Sequence, residues 1–232
     1  SHNENFNCSI NNISDKISLL AVQGPKADLL CESFTKEDLK SLSNYSFILG
    51  TFAGINDVII SKTGYTGSGG FELYISNDDV EHIWDKLFSF ENLEVKPIGL
   101  GARDTLRIEM GYCLYGNDID ESVTPIEANL GWITKLETNF IGSSSIKEQI
   151  ENGIKKKLVG FVINDKGIPR KGYEIFDKSE KLIGQVTSGT FSPILKKGIG
   201  LGYIETSISS KEIYLKIRNN FIKLEVVKTP FI

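Results

Sequence analysis

The sequence predicts an α+β protein: a mixed α/β sheet domain over residues 1–153, followed by a small antiparallel β-barrel over residues 154–232. Three observations carry this. Up to Asn152, short apolar runs alternate with segments whose apolar residues recur at helical spacing. Beyond Gly153 that alternation stops, and six short strand-like runs follow one another. The turns between those runs are made of Asp, Asn, Lys, Ser and Gly, as in Asp165-Lys166-Gly167 and Asp177-Lys178-Ser179.

Residues 17–22 form a compact apolar run, read as a buried strand, that ends at Gly24-Pro25. Proline is favourable in a first helical turn, and Ala27, Leu30, Cys31 and Phe34 then keep helical spacing. Residues 47–52 and 58–60 read as strands, and a glycine-dense segment leads from them into a further strand over 71–75. Asn77 is placed to cap a helix whose apolar stripe is Val80, Ile83, Trp84, Leu87 and Phe88. A second helix is expected over 99–111, with Gly111 as its stop, then a polar excursion over 112–124. A short helical piece over 125–129 and a polar helix over 143–152 complete the first part. The barrel strands are expected at 158–163, 173–176, 182–186, 199–204, 213–217 and 221–227. Asn219-Asn220 should form the last hairpin, because Asn tolerates positive φ.

Composition narrows the function classes. In 232 residues, 26 basic and 30 acidic side chains leave a net charge of -4, which argues against a general nucleic-acid binder. The lysine run 155–157 reads as the solvated entry to a strand. Cys8, Cys31 and Cys113 are odd in number and widely spaced, giving neither a disulfide framework nor a zinc site. With only His2 and His82 as histidines, no metal centre and no Ser/His/Asp or Cys/His nucleophile set is expected. No apolar run approaches the ~20 residues that cross a bilayer, so the sequence reads as soluble and intracellular.

Candidate chemistry centres on Thr63-Gly64-Tyr65-Thr66-Gly67-Ser68-Gly69-Gly70 and the strand after it. The glycines let the backbone turn sharply, but no Gly-Lys-Ser/Thr follows and a strand comes next, so this is not a phosphate loop. Strand alternation sets Phe71, Leu73 and Ile75 on one face and Glu72 and Tyr74 on the other. Glu72 therefore faces solvent or a cleft. In a cleft, its two oxygens suit a ligand with two adjacent N–H donors, such as a pterin or a guanine-like ring. Arg103 and Arg107 share a helix face at i and i+4, and Asp104 lies to their side. Their anions are then expected from Glu72, from the Asp118/Asp120 loop or from a ligand, and a plain Arg–carboxylate bridge is an equal alternative. Asp118, Asp120 and Glu121 lack the spacing of a calcium loop and read as a solvated turn.

Several strings, taken in order, resemble the aminomethyltransferase (T-protein) family of the glycine cleavage system. They include Gln23-Gly24-Pro25-Lys26-Ala27, Thr63-Gly64-Tyr65-Thr66-Gly67 with Gly70-Phe71-Glu72, and Gly101-Ala102-Arg103-Asp104-Thr105-Leu106-Arg107. Leu114-Tyr115-Gly116-Asn117-Asp118-Ile119-Asp120, Thr124-Pro125-Ile126-Glu127-Ala128 and Val186-Thr187-Ser188-Gly189-Thr190-Phe191-Ser192-Pro193 continue the series, which closes on Pro230-Phe231.

The resemblance implies transfer of a one-carbon unit from an aminomethyl-dihydrolipoyl H-protein to tetrahydrofolate, giving 5,10-methylenetetrahydrofolate and ammonia. It implies that Glu72 holds the pterin, that Tyr65 lines the folate site and that Arg103 contributes to it. It also implies a cytoplasmic bacterial enzyme or, second, one of the mitochondrial matrix. Ser68 departs from the family, which usually has an acidic residue there. The family's catalytic aspartate is expected upstream of Ser1, so no catalytic residue is assigned in this chain and the chain alone is expected to be inactive. Alternatives are a non-catalytic folate-binding protein of the iron–sulfur cluster assembly type, whose Lys-Gly-Cys-x-x-Gly-Gln-Glu string is missing here, the folate module of an oxidative demethylase, and an inactive fragment.

Overall fold

The computed structural model describes residues 6–208 and 212–232; His2 lies outside them. The chain separates into two compact units, Ser1–Ile98 and Gly99–Ile232. Each is built from elements the sequence pattern favours.

The first unit contains strand β1 (Ile17–Gln23), helix α1 (Ala27–Glu32), strands β2 (Phe47–Phe52), β3 (Ile55–Ser61) and β4 (Gly70–Ser76), and helix α2 (Val80–Phe88). The strands form one antiparallel sheet in the order β1-β4-β3-β2. Alternation along β4 divides the two faces as read from the sequence: Phe71, Leu73 and Ile75 are fully buried, whereas Glu72 and Tyr74 are half-buried. The core side packs Val58, Ile60, Phe71, Leu73 and Ile75 with Leu30 and Cys31 of α1 and Ile83 and Leu87 of α2. Full burial of each large apolar side chain there contributes about 1.5–3 kcal/mol. The other face stays open. Ala21, Glu72 and Ser61 lie side by side across three strands, as do Leu19, Tyr74 and Ile59, with Leu19 and Ile59 exposed.

Asn77 does not cap α2. The N-cap is Asp79, without a side-chain hydrogen bond. The Asn77 side chain instead accepts from Ser18 Oγ at 2.8 Å and donates to the Asp15 carbonyl at 2.8 Å, tying the start of β1 to the end of β4. A cap needs only local sequence, but a better set of partners came from residues about sixty positions away.

The second unit holds helices α3 (Leu100–Glu109) and α4 (Ser143–Asn152) and strands β5 (Lys156–Ile163), β6 (Glu174–Asp177), β7 (Leu182–Ser192), β8 (Lys197–Glu205), β9 (Ile213–Ile217) and β10 (Asn220–Val227). The six strands close into a barrel in the order β10-β5-β8-β7-β6-β9. Phe161, Ile163, Ile175, Ile183, Val186, Leu215 and Leu224 fill its core. Gly200 allows the close approach inside it: a Cβ there would sit 2.6 Å from the Phe161 ring and 2.7 Å from the Ser188 carbonyl oxygen.

The sequence-based boundary near Gly153 separates α4 from β5, inside this unit. Residues 125–129 close as a turn rather than a helix, with Leu130 N donating to the Pro125 carbonyl at 2.7 Å. β7 runs on past residue 186 through a bulge between Val186 and Ser188. In the last hairpin the positive φ falls on Arg218 (56°) rather than on either Asn.

Candidate functional site

Glu72 stands in the middle of the open face of the first unit, flanked by Ala21 on β1 and Ser61 on β3. Its carboxylate accepts a short hydrogen bond from the Thr63 hydroxyl. Thr63 opens the glycine-dense loop, and its Oγ1 lies 3.0 Å from Ser61 Oγ. The loop is pinned rather than free. Gln23 Nε2 donates to the carbonyls of Thr63 (3.2 Å) and Phe71 (3.0 Å), the latter adjacent to Glu72. Gln23 Oε1 accepts from Thr66 Oγ1 at 3.4 Å. The glycines follow from this. Gly67, Gly69 and Gly70 take φ of 72°, 76° and 131°, whereas Gly64 makes room: a Cβ there would lie 1.9 Å from Gln23 Oε1. Tyr65, half-buried, is carried by the same loop, so the first unit holds both Glu72 and Tyr65.

Arg103 belongs to the second unit, exposed on α3. Arg107, one turn on, is 1% exposed and donates four side-chain hydrogen bonds. Nε and Nη2 both reach Asp104 Oδ1, at 2.8 and 2.7 Å. Nη1 donates to the Tyr112 carbonyl at 3.0 Å and to Asp118 Oδ2 at 2.6 Å, and Nη2 to Ser188 Oγ at 2.7 Å. Asp118 is likewise saturated: it also accepts from Leu114 N and Ser188 Oγ, each at 2.9 Å, and from Thr187 Oγ1. The Tyr203 hydroxyl donates to the Asp118 carbonyl at 2.9 Å, and burial raises the pKa of that phenol.

Two expectations are corrected here. Asp104 was set aside as pointing sideways, yet at i−3 it meets the Arg107 guanidinium; that long side chain folds back along the helix. Asp118 was read as part of a solvated turn, yet it is 1% exposed. Asp120 and Glu121 do fit that description: both are exposed, and the Asp120 carboxyl is held below the usual range by the Ser122 hydroxyl and amide. The missed residues are Thr63, Gln23, Thr187 and Ser188. Their signal was present in the Thr-Ser-Gly-Thr run that interrupts a strand and in a glutamine that ends one.

Among the described residues, no group of three or more His, Cys, Asp and Glu side chains is arranged to hold a metal ion. His82 Nε2 lies 3.1 Å from the Ala53 carbonyl and so carries a proton there. Burial pushes the Cys31 thiol up to about 12 and the Cys113 thiol up to about 11, which removes both as nucleophiles near neutral pH. Among the described residues, no helix is long and apolar enough to cross a membrane.

Comparison with known proteins fits this layout. The sequence pattern of the GCVT N-terminal domain matches residues 1–138, and that of the glycine cleavage T-protein C-terminal barrel domain matches residues 156–232. The chain belongs to the glycine cleavage T-protein family.

Among T-protein relatives, a Flavobacterium psychrophilum protein named aminomethyltransferase is 52% identical over all of this chain and 65% of its own length. A Porphyromonas gingivalis aminomethyltransferase is 53% identical over 96% of this chain and 63% of its own length. The crystal structure of glycine cleavage system aminomethyltransferase T from Bartonella henselae superposes with a TM-score of 0.84 at 32% identity, over 93% of this chain and 60% of that one. The chain thus spans less than two thirds of the length of these relatives, 60–65%. Both family patterns meet in the Arg107–Asp118 network: Arg107 and Asp118 come from the N-terminal match, Thr187 and Ser188 from the barrel match. Within the second unit, the network ties residues 99–138 of the first match to the barrel.

Proposed function

We propose that this chain supplies the pterin-holding part of an aminomethyltransferase of the glycine cleavage system. In this reading the complete enzyme takes the aminomethyl group from the dihydrolipoyl arm of an H-protein and transfers its one-carbon unit to tetrahydrofolate. The products are 5,10-methylenetetrahydrofolate and ammonia. The alternative of a non-catalytic cluster-assembly protein is not favoured, because the relatives carry the aminomethyltransferase name. Those relatives are bacterial, which supports a cytoplasmic location.

The observation that carries the reading is the Glu72 carboxylate, half-buried on the open sheet face beneath a pinned loop. A pterin presents an amino group and a ring N–H side by side, and a carboxylate accepts both at once. Tyr65, on the loop above, offers an aromatic face to the ring. Arg103, on α3 of the second unit, is the further folate residue that the family resemblance implies. Residues 1–153 are then the folate-binding part and residues 154–232 the C-terminal barrel.

Calorimetric titration of this chain with tetrahydrofolate tests the assignment. Glu72→Ala is expected to weaken binding by about 1.5–3 kcal/mol, the worth of a charge-assisted pair. Equal affinity in the two proteins removes Glu72 from the folate site.

A further inference from the structure

Glu72 is not held by its own strand. Its outward face offers no backbone donor, because the β4 amides are engaged with β1 and β3. A glutamate side chain on an open sheet face has three free torsions, and ordering it on binding costs rotamer entropy. The hydroxyl of Thr63 removes much of that freedom in advance by donating to one carboxylate oxygen. A hydroxyl has a single proton. Thr63 Oγ1 is within donating distance of Ser61 Oγ as well, at 3.0 Å, and its contact with Glu72 is the shorter of the two.

Three features keep Thr63 in place. Gln23 grips its carbonyl and that of Phe71, so the residues bearing the donor and the acceptor are clamped by one amide. Gly64, directly after Thr63, has no Cβ to displace that amide. Ser61 is buried and stands opposite Glu72 in the strand register.

From this we infer that Thr63 is the positioning residue of the pterin site. Its hydroxyl sets the rotamer of Glu72 and occupies one lone pair, leaving the outward edge of the carboxylate for the ligand's paired N–H groups. The inference rests on the reading of Glu72 as the pterin acceptor.

The test compares Thr63→Val, which keeps the shape and removes the hydroxyl, with Thr63→Ser, which keeps the hydroxyl. Affinities for tetrahydrofolate and for a 2-desamino pterin analogue are measured on the full 232-residue chain. Thr63→Val is expected to weaken tetrahydrofolate binding about ten-fold while changing the analogue's affinity little, and Thr63→Ser to restore it. A merely structural role would weaken both ligands equally, and that result overturns the inference. So does a Thr63→Val protein that binds like wild type while Glu72→Ala does not. If Glu72→Ala itself binds tetrahydrofolate normally, or the unsubstituted chain does not bind, the underlying reading fails and the inference with it.

Discussion

Replacing Asp118 by Asn isolates what the Arg107 network does. The carboxylate accepts four hydrogen bonds, from Arg107, Leu114, Thr187 and Ser188. An amide of the same shape keeps one oxygen but turns an –NH₂ group toward donors, and it leaves the guanidinium with one carboxylate partner. Breaking a buried ion pair from one side typically costs about 3–5 kcal/mol. Asp104 still neutralises Arg107 but its side chain is 46% exposed, so the lower end, about 3 kcal/mol, is expected. The chain has two tryptophans, Trp84 in the first unit and Trp132 in the second. In a Trp84→Phe background, fluorescence during urea unfolding reports the second unit alone. At a slope of about 2 kcal/mol per molar, Asp118→Asn should lower the midpoint by about 1.5 M. Replacing both partners, Arg107→Met with Asp118→Leu, should cost less than the two single substitutions added together, since no buried charge is left unpaired and Asp104 is 46% exposed. A single substitution within about 1 kcal/mol of wild type, or a double one that simply adds, would refute the view of this network as an interlocked pair.

Four further outcomes follow from particular contacts. Gly64→Ala puts a Cβ 1.9 Å from Gln23 Oε1 and should destabilise the first unit by about 1–3 kcal/mol; in a double-mutant cycle with Gln23→Ala the cost should shrink. Thiol titration near pH ~8 should show Cys8 reacting at once and Cys31 only on unfolding. Because the folded-state thiols of Cys31 and Cys113 are raised to about 12 and about 11, the unfolded chain releases those protons first; stability should fall as pH climbs above ~8.5, and less so in Cys31→Ala/Cys113→Ala. Arg218→Gly relieves a left-handed φ of 56° and should stabilise the barrel by about 0.5–1 kcal/mol in thermal unfolding; a loss would count against strain there.

What the sequence disclosed follows the range of the forces involved. Strand alternation is local, so β2 and β9 have the bounds read from their periodicity, and α4 fits its polar helical pattern. Glu72 was placed on the outward face by the same alternation. The closed barrel was legible because six runs and their turns leave few other arrangements. The network around Arg107 was not, since its partners come from residue 104 and from residues 118 and 188, up to 81 positions away. Thr187 and Ser188 look like a break in a strand, and in the barrel they are a bulge that turns two hydroxyls onto Asp118. Gln23 reads as the polar end of an apolar run, and only the sheet order brings it beside Thr63 and Phe71.

A structure of this chain with tetrahydrofolate tests the central claim most directly. The account expects the pterin amino group and ring N–H both within hydrogen-bond distance of the Glu72 carboxylate, with the Thr63 hydroxyl still on that carboxylate. A pterin bound away from the open face of the first sheet, with Glu72 left in solvent, would contradict it.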